Sequence, residues 1–483
     1  MAERTFGVPV DVDRDVPGLI VKFGGYPLHH GGVGAIRSLG RLGVPMYAIT
    51  EDPYTPAAAS RYLTRAFVWP TTGAEDPDRL VEGLLRIGRR IGRPAVLIPT
   101  DEEAAVLIAE RRADLAGPFL APPVAPDLPR RLASKQTLHE LCGEHGMASP
   151  RTVVPASYDD IAAFAEHAVF PVVAKNREAF VRRRRPAVPG TTRIMSRADL
   201  LALARDWCAP DHQPPGMSYM SDPSESRPGV RRAPHDGRPA DPGTRDPGPG
   251  GGPGGALGGD PGVVLQEYLP RESAEDWIVH GYLAADATPL ALFTGVKVRS
   301  WPPHAGMTAH AYVVANPELA DLAARFLQQI GFTGVFDLDL RFDRRDGQYK
   351  LLDFNPRMGA QFRLFESGPG VDVVRALHLD LTGRPVPGGA PPAGRRYVVE
   401  NIDLPALLAY RRSGYTTPHA PPRATGTELA WLAPDDPLPF ATMLARLVRP
   451  GAKHLYHLWR THRPGDRRPG RPRRSDAPSW RTP

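Results

Sequence analysis

The stretch from Gly334 to Arg357, GVFDLDLRFDRRDGQYKLLDFNPR, sets two carboxylates and an amide where one bound cation could join them. Asp339, Asp353 and Asn355 offer hard oxygen donors. Magnesium suits such a set, because it is usually held by one or two carboxylates together with the phosphates of a substrate. Whether the three side chains meet depends on how the chain pairs with itself. Phe336, Leu338, Leu340 and Phe342 alternate with Asp337, Asp339, Arg341 and Asp343, the period of a strand with one buried face. Asp346-Gly347 supplies a turn, and Tyr349 to Asn355 returns. A two-residue loop sets Asp339 against Phe354 and sends the acids to opposite faces. A three-residue loop, Arg345-Asp346-Gly347 with Gly347 left-handed, sets Asp339 against Asp353. The second register is expected, since it stacks Leu338, Leu340, Phe342, Leu352 and Phe354 on one face. Facing carboxylates repel, so the arrangement calls for a positive charge between them.

Candidate positive charges are few in kind. Lys+Arg total 60 against 53 Asp+Glu, a net charge of +7, yet lysine occurs only at Lys22, Lys135, Lys175, Lys297, Lys350 and Lys453. An ammonium contacts phosphate as a point charge and is not interchangeable with a guanidinium fork, so these lysines are candidates for a specific task. Lys175 ends the apolar run FPVVAKN and precedes the basic loop VRRRRPAVPGTTR, a plausible holder for polyphosphate. Lys297 and Arg299 share the run LALFTGVKVR.

Several elements must carry these residues. From Gly18 to about residue 125, strand and helix alternate: GLIVKFG, a glycine-opened helix GGVGAIRSLGRLG, VPMYAIT, a helix introduced by Asp76-Pro77, AVLIPT, and a helix with Thr100 and Glu103 as its capping box. Such alternation implies a parallel, doubly wound sheet. Its glycines around Gly31 to Gly34 lack the GxGxxG spacing of a dinucleotide site; a small carboxylate at the helix start fits better. Further on, Ser134 caps SKQTLHELCGEHG, and Ser157 with Asp160 and Ser196 with Asp199 open two more helices. Residues 208–262 are rich in Pro, Gly, Asp and Arg and read as a disordered insertion. Strands VVLQEYLP, DWIVHGYL and LALFTGVKVR follow, then the loop SWPPHAGMTAH and a helix opened by Asn316-Pro317 and closed by Gly331. Residues 391–460 read as a helical region, to complete an acceptor site or to make the contact of a homodimer. Residues 461–483 read as a disordered basic tail, and 1–17 as a flexible N-terminus.

At 483 residues the chain has room for two or three domains with cores of their own. No apolar run approaches the roughly 20 residues of a membrane span, and the first residues lack a signal-peptide core. The cytoplasm is the expected compartment, with no membrane partner. Much of the excess charge lies in the Arg-Pro-Gly tail, so nucleic acid is not an expected partner. Cys142 and Cys208 supply neither a disulfide framework nor a metal cluster.

Together these motifs resemble the ATP-grasp superfamily, of the carboxylate-amine ligase type that includes D-aspartate ligase, over about Gly18 to Pro385 apart from the insertion. The resemblance implies an α/β Rossmann-like pre-ATP-grasp domain, residues 18–125, followed by an α+β ATP-grasp domain of two subdomains, residues 126–390, that grip ATP between their sheets. Lys135 and Lys175 match the family's phosphate-contacting lysines. The run QEYL, Gln266, Glu267, Tyr268 and Leu269, matches the hinge that holds adenine, and Asp276 is preferred to Glu275 beside the ribose. DFNPR matches the family's E-x-N-P-R motif. That match implies Asp353 and Asn355 as magnesium ligands, Asp339 as the upstream acid, and Arg357 directed at phosphate or acyl phosphate. Aspartate stands where the family usually has glutamate, which shortens that ligand by one methylene.

The implied reaction uses ATP and magnesium. A substrate carboxylate takes the γ-phosphoryl group, ADP leaves, and an amine displaces phosphate. Lys297, Arg299 and Arg357 would act with the other lysines by positioning and charge neutralisation, with no nucleophilic side chain. His304 and His310 could orient substrate but read first as structural. Alternative expectations are a thiol or bicarbonate co-substrate, or a nucleotide-binding protein without turnover.

Overall fold

A computed structural model describes residues 10–178, 187–188, 190–209, 260–303, 306–412 and 423–448. The expectations for the tail, for nearly all of the 208–262 insertion, for most of the basic loop after Lys175 and for His304 fall outside the described residues.

The first sheet holds β1 (Gly18–Val21), β2 (Met46–Thr50), β3 (Leu63–Val68), β4 (Ala95–Pro99) and β5 (Phe119–Leu120), all parallel in the order β3-β2-β1-β4-β5. Strand order reverses between β1 and β4, the point where open α/β sheets take their ligands. Around it lie α1 (His30–Gly40), α2 (Pro77–Ile91), α3 (Glu102–Glu110) and the short α4 (Arg112–Leu115). Asp76 caps α2 with proline behind it, as expected. The cap of α3 is Asp101, not Thr100 with Glu103. Its Oδ1 accepts from the Ala104 N–H at 2.9 Å, while the Thr100 hydroxyl donates back to the Val21 carbonyl of β1. The other oxygen of Asp101 accepts from the N–H groups of Phe23 and Gly24, at 2.8 and 2.6 Å. One carboxylate thus ties the chain leaving β1 to the start of α3.

Short helices α5 (Leu128–Ala133) and α6 (Lys135–Glu144) lead into a small antiparallel sheet. It contains β6 (Thr152–Val153), β7 (Val172–Asn176), β8 (Thr192–Ile194) and β9 (Val263–Glu267) in the order β6-β9-β7-β8, backed by α7 (Tyr158–His167) and α8 (Arg197–Trp207). Ile161, Val172, Leu200 and Leu265 form its core. Ser157 and Asp160 make both arms of the expected capping box, and Ser196 caps α8. Ser134 precedes α6, but its hydroxyl turns to Glu178 and makes no cap bond.

The large sheet takes β10 (Ala274–Leu283), β11 (Pro289–Trp301), β12 (Met307–Val313), β13 (Gly334–Asp343), β14 (Gln348–Asn355), β15 (Arg395–Val398) and β16 (Gly426–Leu429) in the order β14-β13-β10-β11-β12-β15-β16. On one side α9 (Pro317–Gln329), capped by Asn316, buries Leu319 and Phe326 against Leu338 and Phe354. On the other, α10 (Val373–Leu381) and α1 share a core with Ile278, Tyr282 and Phe293.

Residues 391–460 are not helical throughout. They contribute α11 (Glu400–Arg412) and a helical stretch at 438–448, but β15 and β16 extend the large sheet, and Trp431 is fully buried against it. Residues 10–17, expected in a flexible N-terminus, pack as well. Val12 is buried in the same core, and the Val16 carbonyl lies 2.8 Å from Nε2 of His378.

Candidate functional site

Asp339 pairs directly with Asp353, and Asp337 with Asn355, so four polar side chains share one face of the β13–β14 hairpin. Gly347 has φ +71°, as the turn requires. The register is reached by a different route from the one expected. Asp343 pairs with Gln348 across a four-residue loop, and a bulge between Asp339 and Leu340 restores the alignment of the acids. The extra residue on β14 also changes the core. Leu351, not Leu352, is buried with Leu338, Leu340 and Phe354, its N–H donates to the Ala148 carbonyl, and the Leu352 carbonyl faces Lys175 at 3.5 Å.

Each acid of the facing pair has its own lysine. Lys297 Nζ lies 2.5 Å from Asp339 Oδ1, and Lys135, at the start of α6, bonds Asp353 Oδ1. Burial by itself would raise the Asp353 carboxyl, but Lys135 and then Lys175 outweigh it and hold the group below the usual range. Asp339 goes the other way, raised by burial and by Asp337 beyond what Lys297 offsets. Burial pushes Lys175 down to about 8, against the pull of Asp353. Asp339 Oδ1 is buried against the Lys297 ammonium, so a cation arriving at this oxygen would have to displace that contact. The Asn355 amide nitrogen is turned to Asp337, which leaves its carbonyl oxygen as the acceptor. Among the described residues no three His, Cys, Asp or Glu side chains form a metal cage. Two carboxylates and an amide oxygen therefore fit a magnesium that keeps part of its shell for phosphate oxygens.

Arg357 lies between two more carboxylates. Its Nη1 donates to Asp337 Oδ2 at 3.0 Å and to the Met358 carbonyl at 3.2 Å, and its Nη2 donates to Glu102 Oε1 at 2.8 Å. Asp337 is in turn 3.0 Å from Nε2 of His280, which is fully buried. A Cβ on Gly359 would meet the His280 ring at 2.1 Å, so only glycine admits this packing. Asp337, His280 and Glu102 stand around Arg357 and were passed over by motif reasoning. The period-two spacing of Asp337 and Asp339 was the available signal for the first. Nothing local in the sequence marked Glu102, whose partner Arg357 lies 255 residues further along the chain.

At the hinge, Gln266 and Glu267 end β9. The Glu267 carboxylate accepts from the Arg151 N–H at 3.0 Å and lies 3.4 Å from Lys350, so its side chain is engaged in holding the strands together. Gln266 donates to Thr152 Oγ1, and the Arg193 guanidinium lies 5.6 Å above the Tyr268 ring. Asp276 is bound by Arg341, which also donates to the Leu269 carbonyl, while Glu275 holds Arg344. Arg299 departs from its expected place beside Lys297. Lys297 pairs with Ala311 but Arg299 with His310, because the β11–β12 register shifts between them. Arg299 forms a two-pronged bond to Asp403 of α11, at 2.8 and 2.9 Å, and approaches His310 Nδ1 at 2.6 Å. It clamps the C-terminal segment and does not join the acids.

No family model matches the chain. It is 20% identical over 339 residues to D-aspartate ligase of Enterococcus faecium (strain Aus0004), covering 67% of this chain and 68% of that one. Among solved structures it resembles N5-carboxyaminoimidazole synthetase from Staphylococcus aureus complexed with ADP, with TM-score 0.53, 12% identity, and 86% and 89% of the two chains covered. This chain has the ATP-grasp fold. A second ATP-grasp neighbour is the L-amino acid ligase from Bacillus licheniformis, with TM-score 0.50, 13% identity, and 76% and 75% covered. Lys175 of the small sheet reaches the large one, where its ammonium lies 3.5 Å from the Leu352 carbonyl and within the field of Asp353 and Asp339.

Proposed function

We propose that this protein is an ATP-dependent ligase that activates a substrate carboxylate as an acyl phosphate and joins it to an amine. The observation that carries the reading is the facing pair Asp339 and Asp353, each under a separate lysine, with Arg357 on the same face. A carboxylate oxygen attacks the γ-phosphorus of ATP, and the bond to the bridging oxygen breaks to release ADP. The amine nitrogen then attacks the acyl carbon, phosphate leaves with the carbon–oxygen electron pair, and the nitrogen gives up a proton to form the amide. Lys135, Lys175 and Lys297 supply point charges to the phosphates, and Arg357 presents its outer arm to the transferred group. Magnesium, when bound by Asp339, Asp353 and Asn355, would neutralise charge developing on the phosphate oxygens. The Gln266 to Leu269 backbone would receive adenine, with Asp276 near the ribose.

We divide the chain accordingly into a pre-ATP-grasp domain at 18–125, an ATP-grasp domain at 126–390 and a C-terminal region from 391. A small carboxylate and a small amine are its partners, and the cytoplasm is its compartment. No described helix is long and apolar enough to cross a membrane. The test is ADP release by the purified full chain with ATP and magnesium, across a panel of amino acids and amines. The expected result is ADP formation that depends on a carboxylate and an amine together. ADP formation with none of the panel, combined with no ATP binding, would sink the reading.

A further inference from the structure

The two carboxylates on Arg357 are not equivalent. Asp337 lies in the large sheet, 5% exposed, held by His280 and walled in by Gly359. Glu102 comes from the other side of the seam, on the first turn of α3, and is 23% exposed. Asp337 and the Met358 carbonyl occupy Nη1, while Glu102 occupies Nη2. An anion arriving at Arg357 therefore finds one arm of the fork closed and the other covered by a carboxylate that can swing away. Once displaced, Glu102 would remain beside the positive end of α3, whose dipole favours a negative charge.

We propose that Glu102 is an internal stand-in for the transferred phosphoryl group. It neutralises the outer arm of Arg357 when the site is empty, gives way when phosphate or acyl phosphate occupies that arm, and returns to compete with product phosphate. The proposal rests on the ATP-dependent reading above. It adds a positioning residue that acts through Arg357, donated by the first sheet and fixed there by the Asp101 bonds to Phe23, Gly24 and Ala104. A competitor of like charge weakens binding of its rival, so its removal has a definite sign. Loss of the Glu102 charge strengthens phosphate binding, whereas loss of a merely structural contact leaves it equal or weaker.

The experiment is calorimetric titration of inorganic phosphate into the full chain saturated with MgADP, for wild type, Glu102→Gln and Glu102→Asp, with a melting curve for each. Glu102→Gln should bind phosphate about three- to tenfold more tightly than wild type, the scale of a partly screened charge pair. Glu102→Asp, which keeps the charge with a shorter reach, should fall between them. Equal or weaker phosphate binding by Glu102→Gln, with MgADP binding intact, overturns the proposal. So does a large fall in melting temperature for Glu102→Gln, which would make the contact structural. If wild type fails to bind MgADP, the nucleotide reading itself falls and the proposal falls with it.

Discussion

The ion pairs on the facing acids of the hairpin are built differently from Arg37–Asp436, which joins α1 to the C-terminal segment across the seam between them, and from Arg363–Asp372. The two lysine pairs on the facing acids leave those acids partly open: Asp353 is 35% and Asp339 28% exposed, whereas Asp343 of the same hairpin is sealed under Lys350 and Arg345. The two arginine pairs have both partners sealed, unlike Arg41 and Asp435 of the same seam, which are 27% and 41% exposed. Arg37 and Asp436 are 4% and 1% exposed, and Arg363 and Asp372 are 6% and 0%. Arg37 spends its fork on Asp436 Oδ2 and on the carbonyls of Ala430, Trp431 and Asp436. A fork satisfied on every side resists exchange, whereas a point charge on one carboxylate oxygen can be moved aside by an incoming ion. The sealed pairs hold the molecule together, and the open ones are where a ligand can enter. Arg357 combines both designs, with a sealed arm to Asp337 and an open arm to Glu102.

The largest effect should come from breaking a sealed pair. Asp436→Ala leaves the Arg37 guanidinium buried without its acid, and strips acceptors from the Ser60 hydroxyl and the Arg61 N–H. A stability loss of about 3–5 kcal/mol is expected in denaturant unfolding. A loss under about 1 kcal/mol would erase the distinction between seam and hairpin.

Breaking an open pair should do the reverse, sparing stability and removing chemistry. Asp353→Asn should change stability by no more than about 1 kcal/mol, as partly exposed pairs do. It should lower magnesium-dependent ADP formation by about two to three orders of magnitude, the cost of removing a group that stabilises transition-state charge. Retained turnover would show that Asp353 is not a ligand.

The hairpin was legible from sequence because its information is local. Alternation, turn glycine and acid spacing all lie within residues 334–357, so the pairing of Asp339 with Asp353 followed even though loop and bulge share the register differently from the three-residue turn expected. Lys135 and Lys297 pair with these acids, and Lys175 comes near them. Rarity of type alone did not single them out, since Lys22 and Lys350 are as rare and pair with Glu51 and Asp343. The displacement of Arg299 was not legible, because a register shift between neighbouring strands leaves no trace in a period-two pattern. Neither the seam nor Glu102 could be read, for another reason. Their partners are separated by up to 399 residues, and a buried arginine looks like any surface arginine until the chain has closed on it. Residues 391–460 looked helical because β15 and β16 are short strands of four residues each, with little alternation to reveal them.

A smaller effect should separate lysine from arginine at one position. Lys297→Arg keeps the charge but offers Asp339 a bidentate fork, which converts an open pair into a sealed one. Magnesium would then have to displace a stronger competitor. The concentration of magnesium needed for half-maximal ADP formation should rise about tenfold, with the melting temperature unchanged or higher. An unchanged magnesium requirement would mean that Lys297 and the ion do not compete for Asp339.

The smallest effect concerns a buried acid in the first turn of α3. Burial pushes the Glu103 carboxyl up to about 8, with Asp101 adding to the shift. Between its ordinary value of 4.5 and that point, the folded chain holds a proton that the unfolded chain has released. Stability must therefore fall as pH rises through this window, and the contribution of the protonated acid is complete only at its acid end. Glu103→Gln removes the titration while keeping the shape. Relative to wild type, it should gain about 1–2 kcal/mol between pH 5 and pH 9 in denaturant unfolding. A constant difference across that range would mean that Glu103 is ionised in the fold throughout.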